Sequence, residues 1–166
     1  MLPSDHFVRF YNEAFKFLDE RDGLQGFYLE ISHHQEMHCL KLFQEKGFDG
    51  MAEYWGKIKK EENCHTWGRR YPDHTESRML RCPSLSKVLD NDAEVCPKYC
   101  LHCFGWCAPL LEKAGYVYEQ NIIAPLEPRC MSQIWKRSPE HPRSFTKCEP
   151  VDEEEWRRLE KEETGK

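Results

Sequence analysis

Cys96, Cys100, Cys103 and Cys107 stand at i, i+4, i+7 and i+11. In one α-helix this spacing gathers all four within an arc of about 60°, along a stripe roughly 16 Å long. A helix with one face of sulfur must turn it into a packed core or onto a reactive site, so the rest of the chain has to supply the opposing wall. Pro97 suits the first turn of such a helix and Gly115 its C-terminal end, which predicts a helix from about Cys96 to Lys113.

The segments on either side read as two different layers. Ser4 or Asp5 can cap a helix reaching about Glu20, with Phe7, Phe10, Tyr11, Ala14 and Leu18 as its apolar face. A second helix is expected over about Leu24 to Lys46, with Leu24, Tyr28, Ile31 and Leu42 on one stripe. A third follows over about Asp49 to Lys60. From Asn63 to Arg81 the residues suit strands, with a turn signal at Tyr71-Pro72-Asp73, and Ser84 to Leu89 suits a short helix. Beyond the cysteine helix, Tyr116 to Ala124 and Arg129 to Lys136 have the spacing of a hairpin. The expected fold is α+β: an N-terminal helical layer, then a small antiparallel sheet packed by the cysteine-rich helix. Residues 1–136 form one domain in this reading. Residues 137–166 form a charged tail with a short helix over Asp152 to Glu163.

The 166 residues suit one domain, and 39% hydrophobic with 13% aromatic content is enough for a core. A net charge of −5, with basic and acidic residues interleaved, gives no basic stripe and speaks against nucleic-acid binding. No apolar run approaches the roughly 20 residues that span a bilayer. Met1 to His6 lacks the basic-then-apolar profile of a secretory leader, so the expected location is the cytoplasm. There, nine cysteines are thiols, metal ligands or redox groups rather than a disulfide framework.

Cys82, Cys130 and the four helix cysteines are the expected centre of the chemistry. Cys82 and Cys96, each near a helix start where exposed N–H groups favour a thiolate, are the expected nucleophiles. The Cys-x-x-Cys pair Cys100/Cys103 is expected in mid-helix, away from that influence. Cys100, Cys103 and Cys130 are the candidate metal ligands, for zinc or iron. His34 and His38, at i,i+4 on the second helix, are the candidate bases. Glu30-x-x-His33 and Glu62-x-x-His65 match a di-iron element only superficially. Arg69, Arg81 and Tyr99 are the expected substrate-binding groups.

From Arg81 onward the order of features is Arg81-Cys82-Pro83, Cys96, Tyr99-Cys100, Gly115 before a strand, and Glu127-Pro128-Arg129-Cys130. This order resembles the small bacterial L-2-amino-thiazoline-4-carboxylic acid hydrolases, with the motifs confined to about residues 75–136. The resemblance implies a compact α+β domain with a small-molecule pocket between helices and sheet. It also implies hydrolytic opening of a cyclic amidine-like C–N bond. The matching positions are Cys82, Cys100 and Cys130, with Cys96 a looser match, while Cys103 and Cys107 are additional to the pattern. The expected function is thus a small-molecule hydrolase using a cysteine nucleophile, or a cysteine-bound metal, with a histidine base. The alternative is a non-catalytic sensor or carrier that binds a metal or small ligand on the cysteine face.

Overall fold

The computed structural model describes residues 3–91 and 94–164. Its N-terminal layer is three helices, α1 (Pro3–Asp19), α2 (Leu24–Lys46) and α3 (Phe48–Glu61). Asp22 at φ 54° and Gly47 at φ 57° supply the left-handed turns that end the first two. The side chains of Ser4 and Asp5, expected to cap α1, lie outside the described part.

The faces these helices turn inward differ from the sequence expectation. In α1, Asn12 and Phe15 are fully enclosed, whereas Phe7 and Phe10 are 64% and 68% exposed. In α2 the buried residues are Leu24, Tyr28, Ser32, Cys39 and Phe43. Ile31 and Leu42 lie on its flanks, and His34 and His38 face solvent. The cause is a close helix crossing. A Cβ added to Gly105 would come within 2.7 Å of the Tyr28 side chain, so the missing side chain on α5 is what lets the Tyr28 ring seat against it.

The remaining elements are β1 (His65–Arg70), β2 (His74–Arg81), α4 (Pro83–Asp90), α5 (Leu101–Lys113), β3 (Tyr116–Ile122), β4 (Cys130–Lys136), β5 (Phe145–Lys147) and α6 (Glu153–Thr164). The five strands form one sheet in the order β1-β2-β4-β3-β5, antiparallel except for the β3–β5 pair. The fold is α+β, as the sequence predicts.

Register places Ile134 opposite both Thr75 and Tyr118, Ser132 opposite Ser77 and Gln120, and Cys130 opposite Met79 and Ile122. Directly paired residues share a face. Because Tyr118 and Ile134 pack with Phe43 and Leu111, this is the face beneath the helices. Its middle is polar, with Gln120, Ser132 and Ser77 in a row. The far face carries α6, whose Trp156 is wholly enclosed beside Leu80 and Ile123.

The segment expected as a solvated tail is therefore packed. The Asn121 side chain exchanges hydrogen bonds with the Glu149 backbone at 2.9 and 3.0 Å, which anchors β5. The guanidinium groups of Arg78 and Arg129 lie 5.7 and 5.3 Å from the Trp156 ring, and they pair with Glu155 and Glu153 of the same helix. At the opposite end of the sheet, Tyr71, His74, Trp135 and His141 stack in one column, with neighbouring centroids 3.9–4.3 Å apart. Among the described residues, no helix is long and apolar enough to cross a membrane.

Candidate functional site at the start of α5

The helix that carries the cysteines starts later than its spacing predicts. The Asn12 side chain accepts from the Cys96 N–H at 2.9 Å and donates to the Glu94 carbonyl at 2.8 Å, holding that segment outside the helix. A turn then leads through Tyr99 into α5, and Cys100 is its N-cap residue. The expected stripe of four is accordingly divided. Cys96 is 1% exposed among Phe15, Tyr28 and Tyr99. Cys107 packs against the cluster of Phe43, Leu111, Tyr118 and Ile134 beneath the helices, with Cys39 in the same cluster. Burial pushes both thiols up. Cys96, an expected nucleophile, is thus closed off from any ligand by aromatic packing. The Cys-x-x-Cys pair, expected in mid-helix, occupies the helix N-terminus instead.

Between the two cysteines of that pair lies His102, a buried residue that sequence reasoning passed over. Its Nδ1 meets the Tyr99 carbonyl oxygen, and its Nε2 lies 3.3 Å from the Cys103 sulfur. A carbonyl can only accept, so Nδ1 carries the ring hydrogen and Nε2 presents its lone pair. The Cys103 thiol is the donor to that lone pair. Phe15, Tyr99 and Trp106 enclose the ring at centroid distances of 5.7, 5.2 and 4.7 Å. Burial lowers the pKa of His102, which keeps it neutral near pH 7. Burial, and then the charge of Glu62, hold the Cys103 thiol up to about 11. The resting pair is a thiol and a neutral imidazole, oriented for proton transfer.

Other cysteines converge on this pair from separate elements. Cys82 is the N-cap of α4; its sulfur accepts from the Leu85 N–H at 3.4 Å, and its own N–H donates to the Pro128 carbonyl at 2.7 Å. Cys130 opens β4, and Cys64 lies between α3 and β1. Burial raises the Cys100 thiol to about 12, assisted by the charges of Cys103 and Cys82. Cys130 is held well above its ordinary value by burial and then by Cys103, Cys82 and Cys100. Cys64 rises to about 11 by burial and the charges of Glu62, Cys82 and Cys103. The five cysteines share one neighbourhood, and each is an incompletely enclosed residue whose thiol burial holds protonated. Under them, the Gln120 amide lies against Cys130, while its buried Oε1 has no partner.

Among the expected binding residues, Tyr99 shares a 2.6 Å hydrogen bond with Ser84 and is 2% exposed, which makes it a prop for the centre. Arg81 lines an open cleft of about 940 Å³ beside Cys64, Pro128 and Arg129. Arg69 lies on the far sheet face, 5.4 Å above the Tyr71 ring. His34 and His38 remain on the outer face of α2, so the buried base beside the thiols is His102. Cys100, Cys103 and Cys130, the candidate metal ligands, are neighbours. Yet among the described residues no three His, Cys, Asp or Glu side chains are set to hold one metal ion. The Cys103 sulfur is directed at His102 instead, and Cys130 projects from a different layer.

No protein-family model, curated protein or solved structure matches the chain.

Proposed function

We propose that this chain is a small-molecule hydrolase that opens the C–N bond of a cyclic amidine-like substrate, with Cys103 as nucleophile and His102 as its base. One observation carries this reading: His102 is fixed by the Tyr99 carbonyl so that its free lone pair meets the Cys103 thiol. A nucleophile, a base and a group orienting the base are the working parts of thiol catalysis.

In the proposed reaction Nε2 takes the Cys103 proton as the sulfur bonds to the amidine carbon. The imidazolium returns that proton to the ring nitrogen as the C–N bond breaks. Water, losing a proton to the same Nε2, then displaces the sulfur and restores the thiol. The raised thiol pKa and lowered imidazole pKa favour this concerted transfer over a standing ion pair.

Turnover of cyclic amidines by purified variants tests the assignment. Cys103→Ala should abolish it and His102→Gln should lower kcat at least about 100-fold. Cys148→Ala, at an exposed thiol beside the Ile123 backbone and outside the His102–Cys103 pair, should leave it intact. Full turnover by Cys103→Ala would overturn the reading.

A further inference from the structure

We propose that Cys100 and Cys103 form a dithiol–disulfide couple that exchanges electrons with small-molecule disulfides, a redox activity separate from hydrolysis. The pair occupies the N-cap position and the first turn of α5. Residues three apart in a helical turn have Cα atoms about 5 Å apart, inside the span a disulfide needs. Their side chains are neighbours on the helix surface, so closing the bond requires no movement of another element.

Three further features favour the exchange. His102, between the two cysteines, already holds its lone pair toward the Cys103 thiol and can take its proton. Both residues are only partly enclosed, although burial acts strongly on each thiol. The charge of Cys103 is felt at Cys100, which places the two sulfurs in close electrostatic reach.

The step balances as a two-electron exchange. The Cys103 sulfur, losing its proton to Nε2, attacks one sulfur of the external disulfide and releases a first thiol. Cys100 then attacks the Cys103 sulfur, losing its own proton and releasing a second thiol. Two protein thiols have been oxidised to one disulfide, and one external disulfide has been reduced to two thiols. Oxidising couples stabilise their reduced form as a low-pKa thiolate. Burial withholds that stabilisation from both cysteines here, which favours the direction written above.

The full-length reduced protein, equilibrated with oxidised glutathione, acid-quenched and alkylated, reports the couple by peptide mass spectrometry. The expected product is a Cys100–Cys103 peptide lighter by two hydrogens, with the other thiols alkylated. Cys100→Ser should instead accumulate a glutathione adduct on Cys103, because the resolving thiol is missing. If both cysteines remain alkylated, or if Cys103 pairs with Cys82 or Cys130, the proposal is overturned. No hydrolytic substrate enters this measurement, so its failure and the failure of the hydrolase reading are told apart.

Discussion

At the scale of single residues, burial acts in opposite directions on the two members of the centre. It holds the thiols protonated above their ordinary value of 9.0 and holds His102 neutral below its ordinary 6.5. Stability follows by linkage. Above pH 9 an unfolded chain ionises its cysteines while the folded chain keeps Cys100 and Cys103 protonated to about 12 and 11, so stability falls as pH rises through that range. Below pH 6.5 the unfolded histidine binds a proton that the folded one refuses, and stability falls as pH drops. Denaturant midpoints measured from pH 5 to 11 should therefore form a dome. The alkaline limb should be shallower in the Cys100→Ala/Cys103→Ala double variant; an unchanged limb would contradict the account. The cysteines of this centre were legible in the sequence because of their number and spacing. His102 was not, because its role depends on a backbone carbonyl three residues earlier, which only the turn before α5 brings to its ring.

At the scale of elements, the packing of α5 on α2 sets the site. Gly105 lies against Tyr28, and Tyr28 in turn donates to the Lys98 carbonyl at 3.3 Å in the turn that leads to Cys100. Gly105→Ala should cost about 1–3 kcal/mol, since the added methyl meets a ring rather than the end of a flexible chain. Gly56→Ala, where a Cβ meets nothing within 4 Å, should stabilise α3 by about 0.5–1 kcal/mol. Urea unfolding of the two variants separates these signs, and equal midpoints would remove the close crossing as an explanation. Helix existence was readable from periodicity, but the start of α5 and the inward face of α2 were not. The first is decided by Asn12, far away in sequence, and the second by a glycine on another helix.

At the scale of the molecule, the sheet separates two unlike faces, with the thiols and polar strip beneath the helices and Trp156 on the other side. The alternating charges of the last segment concealed this second layer, since among the described side chains of α6 only Trp156 and Leu159 are enclosed. Trp156→Ala should cost about 3–5 kcal/mol, against less than about 1 kcal/mol for Phe145→Ala at a 42% exposed position. Thermal unfolding with a common ΔCp checks the contrast; comparable losses would return the last segment to the status of a loose extension. The strand order has one more consequence. Four of the five strands are two local hairpins, β1–β2 and β3–β4, joined along a β2–β4 seam that brings Met79 opposite Cys130. On a ribosome the first hairpin and Cys82 emerge well before Cys130, so the nascent chain carries naked thiols until its second half arrives to shelter them.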